Sequence, residues 1–178
     1  VEGIVRISQW GSDGAQTVMR FISPGEMFGT VALFTDGRYP ADAVAIADSL
    51  EASWSEGELL VLMDRHPKIA INLIRIIGKR LQEAQDRVRE LSTQTAERRV
   101  AHAVLRLVRQ AGHRTTEGTA IAFPLRRKDV AALSGTTLHT ASRILTAWGK
   151  SGFVMSQNRW LTIRSTAVIS RIADGLTD

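Results

Sequence analysis

The stretch that decides the fold is Arg126-Arg127-Lys128-Asp129-Val130-Ala131-Ala132-Leu133-Ser134-Gly135-Thr136-Thr137-Leu138-His139-Thr140-Ala141-Ser142-Arg143-Ile144-Leu145-Thr146-Ala147-Trp148. Lys128 to Leu133 reads as a short helix with Val130, Ala131 and Leu133 turned inward. Ser134-Gly135-Thr136 makes a three-residue turn whose glycine tolerates a positive φ. Thr137 is suited to cap the helix that follows. That helix buries Ala141, Leu145 and Trp148, at spacing i, i+4, i+7, and leaves Leu138, His139, Ser142, Arg143 and Thr146 on the opposite face. An amphipathic helix that leads with hydrogen-bonding side chains suits the major groove of DNA. Arg143 can give two hydrogen bonds to a guanine, and Ser142 can reach a base edge or a phosphate. His139 can donate or accept, depending on its tautomer. Arg126, Arg127 and Lys128 are placed for phosphates, and Thr136, Thr137 and Thr140 at the second helix start complete the candidate contacts there.

Downstream, Ser151-Gly152-Phe153 turns into Val154-Met155-Ser156, and Gln157-Asn158-Arg159 turns back into Trp160-Leu161-Thr162-Ile163. This is a β-hairpin wing with Asn158 and Arg159 at its tip as further DNA candidates, so the unit reads as a winged helix. A plain helical bundle with a surface arginine would not need the hairpin. A strand over Ala120 to Leu125, a loop over Gly112 to Gly118 and a terminal helix from Ser165 complete it.

Upstream, the helix Ala96 to about Ala111 aligns Val100, Ala103, Val104, Leu107 and Val108 on one face. Ser92-Thr93-Gln94-Thr95 reads as a hinge before it. A long helix opens at Pro67, a good first-turn residue. It sets Ile77, Leu81, Ala84, Val88 and Leu91 in alternating steps of four and three, a heptad seam flanked by Arg80, Glu83, Asp86, Arg87, Arg89 and Glu90. Such charged flanks favour a parallel coiled coil between two copies over a helix packed on its own β-unit.

The first third reads as β. Ile4 to Ser8 alternates, Thr17 to Ile22 follows a turn at Gly11 to Gly14, Tyr39 to Ile46 is a further strand and Leu50 to Trp54 one more. Short strands at this spacing suggest a barrel, sandwich or jelly roll. Val1-Glu2-Gly3 reads as the turn between two strands, which places further barrel strands upstream. A short helix runs from Glu56 to about Arg65.

Charge divides the chain. Residues 1–60 carry three arginines against nine acidic residues, a balance of −6, whereas residues 61–178 carry 20 basic and nine acidic residues, a balance of +11. The basic part is the one expected to meet a polyanion. Of the 178 residues 44% are hydrophobic, enough for real cores, and no cysteine is present, which excludes disulfides and cysteine-ligated zinc or iron–sulfur clusters within this stretch. Apolar runs are short and broken by charge, so neither a transmembrane helix nor a signal peptide is read, and a cytoplasmic location follows by default. No nucleophile paired with a base, metal-ligand spacing or phosphate loop marks an enzyme.

Four pieces of the chain resemble the CRP/FNR family, named for the cyclic-AMP receptor protein and the fumarate and nitrate reduction regulator. They are Pro24-Gly25-Glu26-Met27-Phe28-Gly29, the long helix from Pro67, Arg98-Arg99-Val100-Ala101, and Arg127 to Gly152. The resemblance implies an α+β fold. A cyclic-nucleotide-binding-like jelly-roll effector barrel would occupy residues 1–65, a dimerisation helix and hinge residues 66–95, and a winged-helix DNA-binding domain residues 96–178. It also implies a homodimer on palindromic double-stranded DNA, with RNA polymerase as a further partner. Cyclic-nucleotide binders of the family carry a glutamate after the glycine at Gly29 and an Arg-Ser pair that clamps the cyclic phosphate. Here those places hold Thr30, Pro40 and Ala41. An unpaired phosphate charge would be costly to bury, so no cyclic-AMP response is expected.

Without cysteines, no iron–sulfur cluster is expected either. The fumarate–nitrate branch has Glu-x-x-Ser-Arg in its recognition helix, and this chain has His139-Thr140-Ala141-Ser142-Arg143. That pattern resembles regulators that respond to nitric oxide. Such sensors often bind haem, so a haem ligand among His66, His102 and His113 stays open, with His139 assigned to DNA. The effector itself is not legible. The rival reading is a winged-helix regulator whose β-part is a protein-interaction module, separable by whether a ligand-sized cavity lies against the long helix.

Overall fold

The structure, a computed structural model, describes residues 2–12, 14, 16–34 and 37–176. Val1 of the expected opening turn and Asp13 of the turn at Gly11 to Gly14 lie outside them. Glu2 pairs with Leu50 in an isolated antiparallel bridge.

Strands β1 (Val5–Trp10), β2 (Gln16–Ile22) and β3 (Asp42–Ala45) form an antiparallel sheet in the order β2-β1-β3. Val5 sits opposite both Ile22 and Ala45, and the β1–β2 register slips by a bulge between Ile7 and Ser8. Val18 and Phe21 face a hydrophobic cluster and Ile22, on the opposite side, lines a cavity, so β2 is covered on both faces. Between β2 and β3 runs a short 3-10 helix, Thr30–Phe34.

Leu50 to Trp54 is not a strand. Beyond the single bridge at Leu50 it finds no edge to pair with, and its side chains stay exposed. An alternating segment with no neighbouring strand cannot satisfy its backbone as a ladder. Among the described residues the N-terminal sheet therefore has three strands, one fewer than the four segments that read as strands.

Helix α1 (Glu56–Arg65) starts with a capping box in which Ser55 and Glu58 bond reciprocally. Helix α2 (Pro67–Thr93) begins with Pro67 in its first turn. It runs two residues into the expected hinge, which contracts to Gln94 and Thr95. Gln94 leaves the helix at φ −112°, ψ 151°, and Thr95 caps helix α3 (Ala96–Ala111) by accepting from the Arg98 amide.

Strand β4 (Gly112–Thr115) replaces the loop expected there, and pairs with β5 (Gly118–Ile121), so the strand expected over Ala120 to Leu125 starts and stops earlier. Helices α4 (Arg127–Ser134) and α5 (Leu138–Lys150) follow, then β6 (Val154–Gln157), β7 (Trp160–Ile163) and α6 (Thr166–Asp174). The second sheet runs β4-β5-β7-β6, so the wing hairpin continues the sheet that α3 covers.

One hydrophobic cluster joins the first sheet to the C-terminal part. Val100, Val104 and Leu107 of α3 pack with Val130 and Leu133 of α4, Leu145 and Trp148 of α5, and Ile169 and Ile172 of α6. Ile4, Val18 and Phe21 of the first sheet belong to the same cluster. The rings of Phe21 and Phe123 lie 4.5 Å apart, tilted by 41°. Burying a side chain of this size contributes about 1.5–3 kcal/mol, so this pair joins the first sheet to the winged-helix part.

Candidate nucleic-acid interface and effector cavity

The helix-turn-helix is built from its own short-range bonds. Buried Asp129 accepts from the Arg126 amide at 3.0 Å and from its Nε at 3.2 Å, which starts α4. Gly135 ends it at φ 60°, ψ 42°, the left-handed region where glycine is free of strain. A Cβ at Gly135 would also collide with the Leu91 side chain. Thr137 caps α5, its hydroxyl accepting from the Thr140 amide at 3.1 Å.

The last carbonyls of a helix lack partners within it and carry the negative end of its dipole. Three arginines collect them at the end of α4. Arg87 of α2 donates to Ala132 O at 2.7 Å, and Arg106 of α3 to Leu133 O at 3.5 Å. Arg99 donates to Ser134 O at 3.0 Å, to Gly135 O at 3.2 Å and to the hinge carbonyl of Gln94 at 2.8 Å. Burial, and then the neighbouring Arg106, pulls the Arg87 guanidinium below its ordinary value, while Glu90 opposes this. The turn that sets the angle between α4 and α5 is thus tied to the end of α2 and to the hinge.

On the outer side of α5, His139, Ser142, Arg143, Thr146, Ala147 and Lys150 line an open concavity. Three expected reading residues, His139, Ser142 and Arg143, share it. Lys150 was missed. It lies roughly three turns from His139 on the same face, a position the helical period already marks. Arg126 is engaged with Asp129, Arg127 bonds to α5, and Lys128 is exposed. Thr136 is half-buried, its amide donating to Ala131 O. Thr137 also donates its hydroxyl to that of Thr140. Asn158 and Arg159 form the exposed wing tip at φ 49° and 71°, and the Arg159 carbonyl accepts from the Leu125 amide at 2.7 Å.

A cavity of about 1270 Å³ lies between the first sheet and α2. Gly29, Thr30, Pro40 and Ala41 line it from the sheet side, and Arg80, Ala84 and Val88 from α2. Arg80 donates to the Thr30 hydroxyl at 3.2 Å and to the Met27 carbonyl. Burial, then Arg20, pulls its guanidinium below the ordinary arginine value. Arg20 itself is paired with Glu26 at 3.1 Å. Pro40 and Ala41 offer no side-chain donor.

The residues of the heptad seam are placed unevenly. Leu81 is 59% and Val88 65% exposed, Leu91 and Ala84 are exposed too, and Ile77 is half-buried. Ala84, Val88 and Leu91 also border the cavity. Ile74, three residues before Ile77, extends the exposed stripe and was not picked out from the sequence. His66 lies between α1 and α2, His113 is on β4, and the Nδ1 of His102 on α3 is 3.9 Å from buried Glu90. Among the described residues no group of three or more His, Asp or Glu side chains is placed to hold a metal ion, and no helix is long and apolar enough to cross a membrane.

Residues 1–66 match the family described as Cyclic nucleotide-binding domain, and residues 98–172 the Crp-like helix-turn-helix domain. The chain is 34% identical over 174 residues to a cyclic AMP receptor protein of Thermus thermophilus, covering 98% of this chain and 77% of that protein. It belongs to the CRP/FNR family of transcription regulators. A nitrogen fixation regulation protein FixK of Azorhizobium caulinodans is 29% identical, with 97% of this chain and 69% of that one covered. The solved structure of FixK2 from Bradyrhizobium japonicum superposes with a TM-score of 0.77 at 26% identity, over 96% of this chain and 83% of that one. As a CRP/FNR member the protein is a DNA-binding regulator of transcription, not an enzyme. Its β-part plus C-terminal helix-turn-helix is the family architecture.

Proposed function

We propose that this CRP/FNR regulator acts as a homodimer on palindromic DNA and answers to a signal other than cyclic AMP. On this reading residues 1–65 sense, residues 66–95 dimerise and transmit, and residues 96–178 bind DNA. Support for the dimer is the apolar stripe of half-buried Ile77 and exposed Leu81, Ala84, Val88 and Leu91. Two copies of α5 roughly 34 Å apart would enter successive major grooves of a palindrome. RNA polymerase is the expected partner of the bound dimer.

The observation that carries the reading of the signal is the cavity wall. Thr30 is bonded to Arg80, and Pro40 and Ala41 stand where a cyclic phosphate would need an arginine and a serine. The Thermus relative's name points to cyclic AMP; these three residues argue for a different effector. Calorimetry of the full-length protein with cyclic AMP should show no binding heat, and micromolar binding would refute the proposal.

Transmission runs through the arginines at the end of α4. A shift of α2 against the sheet would move Arg87, and with Arg99 at the hinge it would reorient the reading motif. His139 with Ser142 and Arg143 supports a place among the regulators that respond to nitric oxide, with a redox change as the other candidate signal. An absorption spectrum of protein purified without oxygen would show whether a haem accompanies it. Selection from random DNA should return a guanine opposite Arg143 and a changed base opposite His139. An unaltered fumarate–nitrate consensus would count against that assignment.

The DNA contacts proposed are Arg126, Lys128, Thr136, Thr137, Thr140, Asn158 and Arg159 for the backbone, and His139, Ser142 and Arg143 for the bases. Arg143→Ala should weaken binding to the selected duplex by roughly 1–3 kcal/mol and relax preference at one base pair, read by competition with singly substituted duplexes. A uniform loss across all sequences would move Arg143 to the phosphates.

A further inference from the structure

We infer that Arg127 is a positioning residue for the DNA-reading helix rather than a phosphate contact, an inference that rests on α5 being that helix. Arg127 opens α4 and is half-buried. Its Nη1 donates to the Ser142 carbonyl at 2.7 Å and to the Thr146 hydroxyl at 3.0 Å. Both acceptors lie on α5, one turn apart. A guanidinium nitrogen shared by a backbone carbonyl and a side-chain hydroxyl of one helix anchors that part of the helix to the start of α4. The grip falls on the segment that carries Ser142 and Arg143 to the outer concavity.

The geometry shows why this matters for reading bases. A helix with its side chains has a radius of about 5–6 Å, so a rotation of roughly 20° carries a side-chain tip about 2 Å sideways. Two parallel hydrogen bonds to one base do not survive such a displacement, because hydrogen bonds weaken steeply off their ideal distance and angle. The neighbours of Arg127 leave the phosphate role to another residue. Arg126 pairs with Asp129 with its side chain still 38% exposed, and Lys128 is exposed, so these two remain for the phosphates.

The test uses the full-length protein and a duplex enriched by it from a random pool. Loss of enrichment at one base pair in Arg143→Ala establishes the reading helix independently. Arg127→Ala should bind that duplex roughly tenfold more weakly, the scale of one lost charge-assisted bond. It should lose discrimination at the base pairs facing His139 and Arg143, yet keep the wild-type slope of log Kd against log salt. Lys128→Ala should instead lower that slope by about one with base preference kept. Arg127→Lys should fail to restore discrimination, since its ammonium ends one bond short of the Nη1 position from which both hydrogen bonds are given. Thr146→Val removes one acceptor without changing charge, and should relax base preference at an unchanged slope. A slope reduced by about one in Arg127→Ala, or full rescue by lysine, overturns the inference. Should Arg127→Ala not fold, Arg127→Lys and Thr146→Val decide it, and wild-type base preference in both overturns it.

Discussion

Leu81→Asp is expected to yield a folded monomer that no longer holds operator DNA. Leu81 lies at the middle of the α2 stripe and is 59% exposed, so its side chain contributes little to the fold of a single chain. In a parallel coiled coil the two copies of this position face each other. Removing two leucines from such a contact forfeits roughly 1.5–3 kcal/mol for each. Two carboxylates placed there add desolvation and repulsion of several kcal/mol more. The sum, above about 5 kcal/mol, weakens a dimer by more than a thousandfold. DNA binding then falls further, because a palindrome gains its affinity from engaging two linked units at once, an effect on the order of 10²–10⁴. Gln82→Asp, one residue on and off the stripe, should leave both properties unchanged. Sedimentation and operator binding measured together decide the matter. A Leu81→Asp variant that sediments as a dimer and binds like wild type would place the interface elsewhere.

How far the sequence could be read follows from the range of the interactions involved. The helix-turn-helix was legible because its parts are local: the left-handed Gly135, the Thr137 cap and the Ala141–Leu145–Trp148 face all act within a turn or two. The wing was legible for the same reason, as a turn between two short alternating runs. Leu50 to Trp54 misled because an alternating run becomes a strand only beside a partner, and among the described residues none is there beyond Leu50. Strand β4 was missed for the opposite reason. All four of its residues are exposed, so no alternation marks it, and only its pairing with β5 makes it a strand. Nothing local announces that Phe21 meets Phe123, or that Arg87 bonds a carbonyl 45 residues away. The same holds for Arg127, read as a phosphate contact from its place in a basic run, whereas its guanidinium bonds to α5. Long side chains choose partners in three dimensions, and a sequence shows only their charge.

Glu90 carries the largest expected effect on stability. It is 5% exposed, at the end of α2, and accepts two hydrogen bonds from the Arg106 Nη1 at 2.8 and 2.9 Å. Arg87 lies close enough to Arg106 for the two charges to oppose each other, and Glu90 is the negative group that offsets both. Glu90→Ala leaves two partly buried guanidiniums side by side with only carbonyls to meet, and breaking a buried pair from one side costs about 3 kcal/mol or somewhat more. For a chain of this length that corresponds to a fall in Tm of roughly 10 °C. Arg106→Ala should cost less, because Arg87 stays near the Glu90 carboxylate to offset its charge and loses the neighbour that repels it. The double variant should be milder than the two single losses added together, since removing both charges leaves neither stranded. Chemical denaturation of the four proteins measures this cycle. Strictly additive losses would mean that Glu90 and Arg106 act independently.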